Sequence, residues 1–268
     1  MMKRCSSFTS ILLLLIMVAC TTSPTGRKQL MIISEESAIN SSKAAYIEML
    51  KPYEEEGRLD SDPQLKARVS RITGRLIAQA VEMRPETKEW AWSMKILDDP
   101  EMVNAWAMAG GKMALYTGLV EQVKPTDDEL AQVLAHEISH ALAKHSAEKM
   151  SVAMASQLGM VAVAASTDNR AVLAGSMMAA KLAIDLPNSR TAEEEADRIG
   201  IELAAKAGYD PRAAATLWKK MGEVSASRVP QFLSTHPSPS NRAETLGKLA
   251  DKMMPYFEAP GERPSFNF

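Results

Sequence analysis

Residues 126–140 read Thr126-Asp127-Asp128-Glu129-Leu130-Ala131-Gln132-Val133-Leu134-Ala135-His136-Glu137-Ile138-Ser139-His140, and the fold is organised around what they require. Thr126 and Glu129 stand three apart ahead of an apolar run, the spacing of a capping box that starts a helix. The pattern predicts one helix over 126–149. On it His136 and His140 are four apart, so they share a face one turn from each other. Leu134, Ile138, Ala141 and Leu142 supply the apolar opposite face. Two neutral imidazoles at this spacing can share one tetrahedral zinc ion. Glu137 lies about 60° around the helix from His140, placed to act as a base without being a ligand. Zinc lowers the pKa of a ligating water to about 7, and the carboxylate takes the proton as that water attacks a carbonyl.

A catalytic zinc needs three protein ligands and an open position. Ala143 and Ser146 stand where an H-E-x-x-H-x-x-G-x-x-H pattern would place its glycine and third histidine, so no third histidine follows at that spacing. The remaining candidates are a carboxylate on another helix, or His236. The run Ser189-Arg190-Thr191-Ala192-Glu193-Glu194-Glu195-Ala196-Asp197 offers the carboxylate. Glu193 and Asp197 are four apart and share a face, so one can ligate while the other accepts the outer N–H of a ligand histidine. Glu194 and Glu195 are expected to point elsewhere. On periodicity alone such an acidic run is a solvated helix face. His236, before Pro237 in a Ser/Pro-rich loop, reads as a surface residue, and His145, off the ligand spacing, as a structural one.

Outward from these motifs the chain is mainly helical. Residues 34–50 and 62–80 carry apolar positions at helical spacing, the second opened by Asp62-Pro63. Trp92, Met94 and Ile96 alternate with polar residues, as a strand does, and 103–108 and 112–116 read as two more strands around Gly110-Gly111. Helices follow over 191–207, closed by Gly208, and over 211–222 and 241–254. The class is α+β, a small sheet among many helices. Hydrophobic residues make up 46% and charged ones 24%, which excludes a disordered chain. A net charge of −2 excludes the basic stripe of a nucleic-acid binder.

The amino terminus is separate in character. Lys3 and Arg4 precede an apolar run over 11–19, too short for a span of about 20 residues. Met17-Val18-Ala19-Cys20 resembles a bacterial lipobox. Residues 1–19 are therefore expected to be a signal peptide, Cys20 the lipidation site, and 20–33 an anchor and tether. Residues 34–257 form the main domain and 258–268 a frayed tail. Residues 151–167 carry no charge and 171–180 resume that pattern; they read as a soluble helical lid over the cleft, with membrane contact or plain core packing as the alternatives.

Four segments together carry a family resemblance: Asn104-Ala105-Trp106-Ala107-Met108-Ala109-Gly110-Gly111, His136-Glu137-x-x-His140, Ser189-Arg190-x-x-Glu193-x-Glu195-Ala196-Asp197, and Thr235-His236-Pro237. The set resembles the zinc metallopeptidase family that contains the HtpX heat-shock protease and the CAAX prenyl endopeptidase, in particular its periplasmic lipoprotein branch. The resemblance implies a zincin-like domain with one Zn2+ per chain, held by His136, His140 and Glu193, with Asp197 behind them. It implies that Asn104 and the strand after it form the cleft edge where an extended peptide adds, and that Arg242 lines the cleft. His236 would approach the metal, filling the open position at rest or stabilising the oxyanion. Where the family often has proline before the two glycines, this chain has Ala109.

The function so implied is a zinc endopeptidase acting on misfolded or unassembled envelope proteins. Its expected place is the periplasmic face of the outer membrane, beside the outer-membrane assembly machinery. The alternative is a chaperone-like binder of outer-membrane protein precursors with a latent zinc site.

Overall fold

The computed structural model describes residues 20–166, 169–170, 172, 175, 189–224, 230–236 and 241–268. The signal-peptide reading of 1–19, most of 171–180, and Pro237 fall outside them. The chain divides into two compact units, Met1–Ala38 with Ser146–Leu186 and Ile39–His145 with Pro187–Phe268.

In the first unit, the segment expected to be a tether is instead a hairpin. Cys20–Thr22 (β1) pairs antiparallel with Lys28–Leu30 (β2). Ser23 N–H donates to Arg27 O at 2.8 Å and closes the turn. The Arg27 guanidinium then grips both oxygens of Glu148 at 2.7 and 2.6 Å, and Gln29 Nε2 reaches the same carboxylate at 2.9 Å. A bidentate pair of this kind orders a short polar segment that composition alone marks as loose. Glu35–Glu55 forms α1, which begins in this unit and from Ile39 belongs to the second.

The second unit holds the sheet, the main core and the site. Asp62 caps Pro63–Met83 (α2), its carboxylate accepting from Gln64 and Leu65 N–H. Ser93–Leu97 (β3) runs parallel to Lys112–Tyr116 (β5), and Ala105–Met108 (β4) runs antiparallel to β5. The strand order is β3-β5-β4, so β4 is an edge. Gly110 and Gly111 make the turn between β4 and β5 at φ 76° and 71°, and a Cβ on Gly111 would stand 2.3 Å from the Trp92 ring. Ala109 in place of proline leaves that turn intact.

Thr117–Val123 forms α3 and Asp127–Leu142 forms α4. The Thr126/Glu129 capping box is present in both directions. From Glu129 to Leu142 every residue of α4 is buried, so this helix is the axle of the unit rather than an amphipathic surface element. The expected single helix over 126–149 stops seven residues early. Lys144 adopts a left-handed conformation at φ 59°, and buried Arg84 donates to Leu142 O at 2.7 Å, satisfying a terminal carbonyl. The chain restarts as α5, His145–Ser166, which from Ser146 onward belongs to the first unit. This helix exposes Met150, Val152, Met154, Leu158 and Val161. Among the described residues no helix is long and apolar enough to cross a membrane.

Arg190–Lys206 (α6), capped by Ser189, lies against α4. They approach closely at Gly200, where a Cβ would be 3.0 Å from the His136 backbone. Ala213–Val224 (α7), Gln231–Thr235 (α8) and Arg242–Glu258 (α9) complete the unit. The core runs through Ile72, Leu76, Leu115, Leu134, Ile138 and Leu203. The tail is not frayed: Phe266 N–H donates to Gly74 O at 2.9 Å, and Arg263 donates to Lys206 O and Phe257 O at the ends of α6 and α9.

Candidate metal centre

Two turns of α4 present His136 and His140 with their Nε2 atoms 3.1 Å apart. Because α6 crosses at Gly200, the first turn of α6 delivers Glu193 against them. Its carboxylate lies 3.2 Å from His136 Nε2 and 3.4 Å from His140 Nε2. The short helix α8 ends in His236, whose ring stacks on fully buried Phe232 at 4.6 Å. His236 Nδ1 stands 3.3 Å from His136 Nε2 and 3.1 Å from Glu193 Oε1. It is 4% exposed, so the surface reading of this residue gives way to the placement the resemblance implied.

His136, His140, Glu193 and His236 thus offer ligand atoms within 4.8 Å of one another, all buried. Three imidazole nitrogens and a carboxylate converging in this way form a set that suits a cation, and N/O donors of this type suit zinc.

Glu137 projects beside this cluster. Ala107 N–H, on the outer edge of β4, donates to Glu137 Oε2 at 3.2 Å, and His236 Nε2 lies 3.4 Å from Oε1. Burial pushes the Glu137 carboxyl above the usual carboxylate range. The strand edge and the candidate base are therefore in contact. Asn104 sits just before β4, where its Oδ1 accepts Ala105 N–H at 3.0 Å.

Behind this cluster, Asp197 Oδ1 is 3.1 Å from His136 Nδ1. Arg242 was expected on the cleft wall, but it is 4% exposed and lies beneath the carboxylates. It holds Asp197 through Nε and Nη2 at 2.8 and 2.5 Å, approaches Glu193 at 3.6 Å and stacks over Trp218 at 3.7 Å. Burial opposes charge on His136, but Asp197 and Glu193 outweigh it and push the imidazole up to about 9. Burial raises both carboxyls, but His136 and His236 outweigh it and hold Glu193 well below the carboxylate range, and His136 with Arg242 lowers Asp197. Burial, with His136 next, pushes His140 well below the usual imidazole range.

Two residues outside the cluster are buried against it in a way the sequence did not show. His145, taken as structural, sits with Nδ1 2.8 Å from His140 Nδ1, and Glu195, expected to point elsewhere, lies 3.2 Å from His145 Nε2. Of the four carboxylates in the acidic run, only Glu194 is exposed. The helix break at Lys144, invisible in the pattern, is what turns His145 back toward His140. A hint was present in the spacing of Glu193, Glu195 and Asp197, too many carboxylates for one ligand position.

A mainly helical domain whose HExxH helix, second-helix glutamate and edge strand meet at one buried cluster defines the zincin class of metallopeptidase. Comparison with known proteins agrees. Residues 63–250 match the model of peptidase family M48, and the chain belongs to that family. It is 35% identical over 239 residues to the mitochondrial metalloendopeptidase OMA1 of Bos taurus, covering 84% of this chain and 45% of that protein. It is 36% identical over 180 residues to OMA1 of Schizosaccharomyces pombe, covering 66% of this chain and 51% of that one. The beta-barrel assembly-enhancing protease of Yersinia pestis is 31% identical over 206 residues, 73% of this chain and 41% of the relative. The chain thus spans about half the length of these relatives. The relatives named are of the OMA1 and barrel-assembly kinds, so the motif resemblance is to the family as a whole rather than to HtpX or the CAAX prenyl endopeptidase.

Proposed function

We propose that the chain is a zinc-dependent endopeptidase that hydrolyses peptide bonds in misfolded or unassembled cell-envelope proteins. The observation that carries this reading is the contact between three elements: the His136/His140/Glu193 cluster, the Glu137 carboxylate, and the N–H edge of β4 at Ala107. An extended peptide added to that edge would pass in front of the cluster with its carbonyl near Glu137. Zinc, held by His136, His140 and Glu193, would supply Lewis acidity toward the scissile carbonyl and the attacking water. Glu137 takes the proton of the water at its carboxylate and returns it to the leaving amine. A carboxyl raised by burial suits a group that must do both. Asp197 and Arg242 orient His136 and compensate the buried charge. The lipobox at Cys20 and the barrel-assembly relative support a lipid-anchored enzyme at the periplasmic face of the outer membrane, acting near the outer-membrane assembly machinery.

The test is cleavage of an unfolded protein by wild type and by Glu137→Gln. Wild-type cleavage that chelation removes and zinc restores, with the variant inert at unchanged zinc content, supports the reading. Equal cleavage by both would sink the role of Glu137.

A second reading rests on His236. Its two ring nitrogens face Glu193 and Glu137 at once, covering the base as well as the cluster. This arrangement suits a latched enzyme, or a chaperone-like binder of outer-membrane protein precursors whose site stays closed. His236→Ala separates these outcomes: a latch gives faster cleavage, an oxyanion-stabilising role gives slower cleavage, and a binder gives none in either form.

A further inference from the structure

The ligand His140 is backed by a chain of buried groups that the proposed mechanism does not use. His140 Nδ1 and His145 Nδ1 are 2.8 Å apart, and His145 Nε2 lies 3.2 Å from Glu195 Oε2. His145 and Glu195 are 4% and 5% exposed. Two imidazole nitrogens at hydrogen-bond distance share one proton, so one ring donates and the other accepts. The end of the chain decides which. An ionised carboxylate only accepts, so Glu195 requires the proton of His145 on Nε2. A singly protonated His145 then offers a lone pair at Nδ1. The shared proton therefore belongs to His140 Nδ1, which leaves His140 Nε2 as a bare lone pair facing His136 and Glu193.

We infer that His145 and Glu195 are positioning residues that set the tautomer of His140 and so make it a metal ligand. The inference rests on the reading of His140 as a ligand. It separates the two histidines of the motif. At Nδ1, His136 meets a carboxylate directly, Asp197, whereas the Nδ1 of His140 meets one only through a second imidazole. Without Glu195, His145 can carry its proton on Nδ1 and donate it to His140. The proton of His140 then moves to Nε2, where it blocks the metal. The break at Lys144 is the backbone feature that allows this chain of contacts, because a continuous helix would place the residue five after His140 on another side.

The experiment uses the full chain with zinc alone as the probe. The chain has four histidines, so 15N-imidazole spectra of the zinc-free protein resolve each tautomer. Wild type is expected to show His140 protonated at Nδ1, and Glu195→Ala to shift it toward Nε2. Chelator competition should then give zinc affinity about 10–100-fold weaker for Glu195→Ala and for His145→Leu. His145→Gln, whose side-chain oxygen can accept from His140 Nδ1, should recover most of the loss. A purely structural role would lower the melting temperature of these variants while leaving the tautomer and the zinc affinity unchanged, and that result overturns the inference. An Nε2–H tautomer of His140 in wild type also overturns it. Zinc that fails to bind wild type removes the metal reading itself, whereas tight zinc binding by both wild type and Glu195→Ala removes only the relay.

Discussion

The two histidines of one motif, a single helical turn apart, are supported by different physics. His136 is held by charge: Asp197 lies against its outer nitrogen, and Arg242, clamped on Asp197 and stacked on Trp218, compensates both nearby carboxylates. His140 is held by hydrogen-bond direction, through His145 to Glu195. The first support concentrates ionised groups in a buried place and should fail expensively. The second moves no net charge and should fail in affinity more than in folding. Identical spacing on a helix therefore does not imply identical surroundings, because the neighbours come from other elements.

Removing Arg242 should break the charged side most severely. Arg242→Met leaves Asp197 and Glu193 buried without their guanidinium, a loss of about 3–5 kcal/mol, read by urea unfolding. Stability equal to wild type would show that the His136 side is not charge-locked. Metal removal comes next. Zinc at 100 times its dissociation constant should stabilise the fold by about 2.7 kcal/mol, seen as a fall in melting temperature on chelation. That fall should shrink in Asp197→Ala. A chelator-insensitive melting temperature would argue that the cluster does not bind the ion in the folded state.

Gly200→Ala probes the contact that both sides share. Alanine favours a helix interior over glycine by about 1 kcal/mol, but here its Cβ would stand 3.0 Å from the His136 backbone. Net destabilisation of about 1–3 kcal/mol is expected, with weaker zinc binding because α6 carries Glu193 away from α4. A stabilised variant with unchanged affinity would refute the tight crossing.

The smallest effect belongs to the far end of α4 and serves as a contrast. Burial raises the Glu129 carboxyl, but Lys220, Thr126 and Thr216 outweigh it, and the group is held below its usual range. Its unfolded value is about 4.3. The folded value being lower, Glu129 contributes stability above the unfolded value and loses it as pH falls through the folded one. Glu129→Gln should flatten stability against pH below about 4 while leaving zinc affinity unchanged. An unaltered acid limb would remove Glu129 from the account.

Much of this architecture was legible where local rules govern. Thr126 with Glu129, Asp62 with Pro63, and Gly208 mark helix ends because each satisfies or releases backbone groups within three residues. The alternation at Trp92, Met94 and Ile96 marked β3 because one face of the sheet is buried. The misreadings share a cause as well. The hairpin at 20–30, the stop at Leu142 and the pinned tail each depend on a side chain far along the chain: Glu148 for Arg27, Arg84 for Leu142, and the helix ends for Arg263. Periodicity carries no information about such partners.

By itself, then, the sequence determined most of the helix starts, the strand alternation, the pairing of His136 with His140 and the Glu137 carboxylate beside them, since all are set by contacts within a few residues. Tertiary structure alone decided which carboxylate meets which nitrogen. Glu193 reaches His236 across 43 residues, and His236 reaches His136 across 100. It made Glu195 an inward residue, put Arg242 beneath the site instead of on its wall, and turned His145 from a bystander into a neighbour of His140. The physical reason is packing: α6 approaches α4 where Gly200 has no side chain, and that crossing sorts the acidic run into buried and exposed members.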